Sequence, residues 1–255
     1  MHIKRWDPRE LTGEEGLNHF KLLIVGRSGS GKSVVLREIL SHLAGRVDLT
    51  LCFSPTQESC EHFRKYVPSS CVFEGGLRLD VLARAMEVQR SLAPAGKMRE
   101  LLVVCDDCAY DKGAVRGGAS GAVLHDYAYN GRHCRMSLVY VCQHCYDLPP
   151  DVRSQATHVL CTVNNQHQEK KKLWQAFGGV CPTYREFDAL MTSATRNRGV
   201  LVLSNADPSA SLEGSVFWYR AKMEQRPFTL CKSVFWRLEE TGVEGRPQET
   251  LLVRV

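Results

Sequence analysis

The sequence predicts a three-layer α/β fold built around a mostly parallel central sheet. Three observations carry that prediction. Strand-length apolar runs recur along the chain, helix-periodic segments separate them, and the first run passes through a glycine-rich turn directly into an amphipathic helix. No internal repeat or low-complexity segment interrupts the order.

The apolar runs fall at residues 21–25, 49–53, 101–105, 136–142, 158–163, 199–203 and 216–219. The first five are nearly continuous in apolar residues, as in strands covered by helices on both faces. Residues 33–43 set Val35, Leu36, Ile39, Leu40 and Leu43 on one helical stripe, and residues 79–92 and 167–177 are further helix candidates. Residues 113–121, with four glycines, and the polar stretch 204–214 read as loops within the domain. The last two runs read as a C-terminal hairpin extending the sheet, with Phe228, Phe235 and Trp236 closing the edge of the core.

Composition sets outer bounds. Hydrophobic residues at 44% and charged residues at 24% are those of a globular protein and exclude wholesale disorder. No apolar run nears the ~20 residues of a membrane span, so none is expected. The basic start from Met1 to Pro8 has no apolar stretch behind it, so no cleaved secretory signal is expected. The 33 Lys and Arg against 28 Asp and Glu leave a net charge of +5, which permits a nucleic-acid partner without demanding one. Eleven cysteines, an odd number, read as reduced thiols in a cytosol-like compartment, several of them packed as small apolar residues.

The turn after the first run is Gly26-Arg27-Ser28-Gly29-Ser30-Gly31-Lys32-Ser33, which fits G-x-x-x-x-G-K-[ST] at every fixed position and lies between a strand and a helix, as that motif requires. Gly29 and Gly31 let the backbone wrap with its N–H groups inward, and the helix N-terminus adds a favourable dipole. Lys32 is expected to reach the β- and γ-phosphates of ATP, and the Ser33 hydroxyl to ligate Mg²⁺. The run 101–105 ends in Asp106-Asp107. A strand alternates faces, so the two acids take different tasks: Asp106 the metal, through water, and Asp107 the attacking water. Tandem acids favour ATP hydrolysis over transfer to a small acceptor. The run 136–142 ends in Gln143, an amide suited to bonding the γ-phosphate or the water.

Cys105-x-x-Cys108 and Cys142-x-x-Cys145 have the form of two half zinc sites. Their separation is longer than in zinc ribbons and Cys105 and Cys142 sit inside apolar runs, so core packing is the expected role. No thioredoxin-like context surrounds either pair, and His133 and His144 read as loop hydrogen-bonding residues.

The order of the phosphate-loop octapeptide, Asp106-Asp107, Asn130-Gly131-Arg132-His133, the strand ending in Gln143 and Leu148-Pro149-Pro150-Asp151-Val152-Arg153 resembles the genome-packaging ATPases of large double-stranded DNA viruses, the poxvirus-like branch of the FtsK–HerA superfamily. The resemblance runs from about Lys21 to Tyr219. It implies a P-loop NTPase of the ASCE, RecA-like type, with residues 1–255 as one ATPase domain: an N-terminal extension 1–20, a nucleotide-binding core 21–205, and a sheet extension and tail 206–255.

It further implies a homo-oligomeric ring, usually a hexamer, that hydrolyses ATP with DNA stimulation. Such a ring draws double-stranded DNA, without sequence preference, into a capsid, in host cytoplasm at the assembly site and in the virion, with a capsid or vertex protein as a further partner. By its position before the glutamine-ending strand, Arg132 is implied to act on the neighbouring subunit's nucleotide, with Arg153 the second candidate. The acidic pair departs from the Asp-Glu of many relatives, and Asp107 is one methylene shorter. Sequence-independent phosphate contacts are expected from Lys112 and Arg116 or from Lys170, Lys171 and Lys172. A nucleoside-kinase-like phosphotransferase and a nucleotide-switched assembly protein without processive movement are the alternative readings.

Overall fold

The computed structural model describes residues 3–14, 16–108, 119–148, 150–206, 211–224 and 226–240. The strands are β1 (Lys4–Arg5), β2 (Lys21–Val25), β3 (Leu49–Ser54), β4 (Val72–Glu74), β5 (Leu101–Asp106), β6 (Met136–Cys142), β7 (His158–Cys161), β8 (Val200–Ser204) and β9 (Val216–Tyr219). The helices are α1 (Lys32–Leu43), α2 (Gln57–Phe63), α3 (Leu79–Leu92), α4 (Ala119–Asn130), α5 (Pro150–Ser154), α6 (His167–Phe177), α7 (Tyr184–Ala194), α8 (Leu212–Ser215) and α9 (Ser233–Glu240). Every residue of β2, β3, β6, β7 and β8 is buried. That is the physical reason these runs carry no polar alternation.

The chain divides into two compact units, each assembled from three separate stretches. One comprises residues 1–10, 21–42 and 140–225. Its strand order is β1-β9-β8-β7-β2, followed by the second half of β6. β1 runs parallel to β9 and β2 parallel to β7, whereas β8 is antiparallel to both β7 and β9. The β8–β9 pair is the expected C-terminal hairpin. On α1, the stripe of Val35, Leu36, Ile39 and Leu40 is buried as the sequence predicts.

The other unit comprises residues 11–20, 43–139 and 226–255, and orders the first half of β6, then β5, β3 and β4. β3 is parallel to both β5 and β4. Its helix α3 buries Val81, Leu82, Ala85, Met86 and Gln89. The Gln89 amide is satisfied by donating to the carbonyls of Arg99 and Cys134 and accepting from the Arg99 N–H. Phe228 stacks on Tyr66 and Phe235 is fully buried, closing this core as expected.

β1 and β4 go beyond the predicted runs: two exposed residues pairing with β9, and three residues pairing with the end of β3. α4 begins at Ala119, so the last residues of the glycine-rich stretch are helical. The rest of that stretch, with Lys112 and Arg116, lies outside the described residues, as do residues 207–210 of the second predicted loop and residues 241–255 of the predicted tail. No described helix is long and apolar enough to cross a membrane.

Candidate active site

The glycine-rich loop leaves β2 at Gly26, whose N–H donates to the Cys142 carbonyl at 3.2 Å. A β-carbon on Gly26 would stand 1.7 Å from Thr162 Oγ1 and 2.9 Å from Ser30 Oγ. Only glycine fits there. Gly29 and Gly31 hold φ of 72° and 94°, left-handed values that side chains oppose. They turn the chain so that α1 opens at Lys32, with the Val34 and Val35 N–H groups both donating to the Gly31 carbonyl. Arg27, Ser28, Gly29, Gly31 and Ser33 are exposed at the start of a helix, the end whose dipole favours an anion.

Lys32 is 8% exposed, and its Nζ donates to the Arg27 carbonyl at 3.2 Å. That carbonyl also accepts from Ser30 Oγ at 2.7 Å and Ser30 N at 3.3 Å. Lys32 thus shares a neutral oxygen with Ser30, and an ionised phosphate oxygen is the stronger acceptor for an ammonium. The exposed Ser33 hydroxyl, at the first turn of α1, suits a hard cation that takes oxygen ligands.

The same unit carries Gln143, exposed immediately after Cys142, the residue that accepts from Gly26. The structure therefore sets Gln143 beside the start of the phosphate loop. Next to it, His144 Nδ1 lies 3.1 Å from Glu169 Oε2, and Lys172 Nζ lies 2.7 Å from Glu169 Oε1. Lys172, and after it His144, hold the Glu169 carboxyl below its ordinary range, with burial opposing them. Lys170 pairs with Asp188. Two of the three consecutive lysines are thus engaged within the chain, and Lys171 is exposed. Arg153 donates to the Leu148 carbonyl at 2.9 Å, and its guanidinium stands 4.6 Å from the Tyr146 ring centroid. Both contacts are made within this chain.

In the other unit, β5 ends at Asp106 and the chain turns out of the strand at Asp107, whose φ is 51°. Aspartate tolerates this left-handed conformation better than most residues. Cys108 follows, buried, its thiol donating to the Phe53 carbonyl at 3.2 Å. Cys105, Cys142 and Cys145 are buried as well. The carboxylate of Asp106 is the kind of oxygen donor that Mg²⁺ accepts. Arg132 is exposed on the 3-10 helix Gly131–Cys134, just before β6, with His133 beside it.

Thr162 is the residue that reasoning from the sequence missed. It follows β7, is 1% exposed, and places its hydroxyl 2.7 Å from Ser30 Oγ and 3.3 Å from the Val25 carbonyl. Its only signal in the sequence is a hydroxyl residue inside the apolar run 158–163.

Known proteins bear on this geometry. A model of the family described as Poxvirus A32 protein matches residues 12–206. The "uncharacterized protein 088R" of Invertebrate iridescent virus 3 is 24% identical over 208 residues, covering 81% of this chain and 77% of the relative. Among solved structures, the genome packaging NTPase B204 of Sulfolobus turreted icosahedral virus 2, in complex with ATP-gammaS, superposes with a TM-score of 0.56 at 12% identity, covering 80% of this chain and 98% of that one. The pCW3 conjugation coupling protein TcpA with ATPgS reaches 0.58 at 13% identity, covering 92% of this chain and 74% of that one. These likenesses establish the fold as that of the P-loop NTPases.

Proposed function

Since the chain belongs to the poxvirus A32 protein family, we propose that it is an ATPase that packages viral double-stranded DNA. The observation that carries this reading is the loop from Gly26 to Ser33, with a left-handed glycine on either side of Ser30 and a lysine docked on a replaceable carbonyl. A genome packaging NTPase and a conjugation coupling protein of the same fold, both determined with ATPγS, support it.

In this reading Lys32 leaves the Arg27 carbonyl for the β- and γ-phosphate oxygens of ATP. Ser33 and Asp106 are the residues that would hold Mg²⁺, an ion that when bound would supply positive charge against the phosphates. Asp107 accepts the proton of the attacking water as the new P–O bond forms and the β–γ bridge breaks, leaving ADP and phosphate. Gln143 hydrogen-bonds the γ-phosphate or that water. Arg132 acts on the nucleotide of a neighbouring copy. Arginine suits the task because it stays charged and spreads over several oxygens.

The finer assignment is a homo-oligomeric ring, hexameric, that grips duplex DNA through phosphates without reading bases and works with a capsid or vertex protein in host cytoplasm and in the virion. Residues 1–255 act as one ATPase domain, and Lys171 is its described candidate for DNA contact. ATP turnover by the full chain, measured with and without duplex DNA, tests the reading. Stimulation by DNA of unrelated sequences is expected. Equal rates with and without DNA in assembled rings would remove the motor, and phosphoryl transfer to a nucleoside would replace it with a kinase.

A further inference from the structure

We infer that Thr162 is a positioning residue for the phosphate loop, setting the loop's shape through its hydroxyl contact with Ser30. The inference rests on the proposed ATP site and adds to it the residue that follows β7, the strand beside β2. Three observations converge on one side chain.

First, Thr162 is almost wholly buried, yet its hydroxyl is aimed at the loop rather than into apolar core, 2.7 Å from Ser30 Oγ. Second, the contact takes the space of a missing side chain, since a β-carbon on Gly26 would lie 1.7 Å from Thr162 Oγ1 and 3.1 Å from Thr162 Cβ. The first glycine of the loop and Thr162 are therefore one steric unit. Third, Thr162 is held from behind, where its own N–H donates to the Val25 carbonyl at 3.0 Å, the last residue of β2. Its hydroxyl thus stands at a fixed height above the strand that launches the loop.

The hydroxyl protons have two consistent arrangements. In one, Ser30 donates to the Arg27 carbonyl and Thr162 donates to Ser30. In the other, Ser30 donates to Thr162 and Thr162 donates to the Val25 carbonyl, 3.3 Å away. Only the first keeps the Ser30 hydroxyl on Arg27, the carbonyl on which Lys32 also rests. Departure of Lys32 to a phosphate and a choice between the two arrangements both bear on the same oxygen. Thr162 holds Ser30 in either one, so the loop keeps its register while Lys32 moves.

Thr162→Val preserves shape and removes only the hydroxyl, Thr162→Ser restores it, and Ser30→Ala removes the partner. With a non-hydrolysable ATP analogue and Mg²⁺, Thr162→Val is expected to weaken binding by about three- to tenfold, the worth of one hydrogen bond. Thr162→Ser should return to within about threefold of the parent, and in turnover KM should move more than kcat. Because both substitutions remove the same contact, the Thr162→Val, Ser30→Ala double variant should bind no more weakly than the worse single variant.

Parent-like binding by Thr162→Val, or losses that add in the double variant, would overturn the assignment. Should the parent itself fail to bind the analogue, the ATP reading falls separately. Hydrogen exchange at the Ser30 amide of the ligand-free chain then decides the contact. Thr162→Val should speed that exchange by about tenfold, and an unchanged rate would refute the role.

Discussion

The ammonium of Lys32 rests on the carbonyl of Arg27, five residues earlier in the same loop, at 3.2 Å. The loop thus gives its own cation a partner before any anion arrives. Lys32→Ala should lower stability by about 1 kcal/mol, the scale of one neutral-acceptor hydrogen bond, and should abolish ATP turnover. Thermal unfolding and a phosphate-release assay on the same preparation check both halves. Turnover at the parent rate would remove Lys32 from the site.

Gly26 is constrained by volume, not by backbone angle. Its missing β-carbon is the space occupied by Thr162 Oγ1. Gly26→Ala forces an overpacked contact worth about 1–3 kcal/mol, equivalent to a Tm fall of roughly 2–4 °C per kcal/mol in a chain of this size. Adding Thr162→Ala should recover part of the lost stability. A Gly26→Ala protein as stable as the parent would show that the loop leaves β2 by another path.

Asp107 separates conformation from chemistry. At φ 51° it sits where alanine is penalised by about 1–2 kcal/mol and asparagine is accommodated. Asp107→Asn is therefore expected to keep parental stability and ATP binding while turnover falls at least about a hundredfold, the usual contribution of a positioned base. Asp107→Ala should lose stability as well. Equal stability of the two variants would contradict the strain argument.

The local parts of this site were legible in the sequence, and the distant parts were not. The phosphate loop, the strand-terminal acids and Gln143 are each defined within a few residues, and the helices at Leu79–Leu92 and His167–Phe177 carry their stripe in the chain itself. Thr162 touches Ser30 across 132 positions, and Glu169 meets His144 across 25, so no pattern announces either. β1 is only Lys4–Arg5, two exposed residues that become a strand by pairing with β9. By contrast, α7 was missed although it is written locally: Thr183 and Glu186 cap each other at its start, and Phe187, Leu190, Met191 and Ala194 recur on one buried face.

Glu169 ties the segment after Gln143 to α6 and confers a pH dependence. Its carboxyl is held low mainly by Lys172, with burial opposing and His144 assisting. A depressed folded value means that the stabilisation is present above the ordinary carboxylate range and is lost as pH falls through the folded value. Glu169→Gln should be less stable than the parent at neutral pH, and the gap should close towards pH 3 in urea unfolding. A gap that widens on acidification would reverse the sign.

Burial pushes the Cys161 thiol up to about 12 and the Cys145 thiol up to about 11. For Cys231 burial acts in the same direction, but hydrogen bonds from Cys71 and the Thr50 N–H carry the thiol below its usual value. Since the thiolate is the reactive form, brief alkylation of the native chain at pH 8 should label Cys231 first and leave Cys145 and Cys161 untouched. Peptide mass mapping reads the order, and early labelling of Cys161 would contradict the described core.

In the proposed reaction the loop from Gly26 to Ser33 holds a triphosphate whose terminal bond Asp107 helps to cleave. Phosphate release from ATP by the full chain with Mg²⁺, compared between parent and Asp107→Asn at equal nucleotide occupancy, tests it most directly. Steady release is expected from the parent and, from the fully occupied variant, at least about a hundredfold less. Equal release by the two proteins, or none from a parent saturated with ATP and duplex DNA, would contradict it.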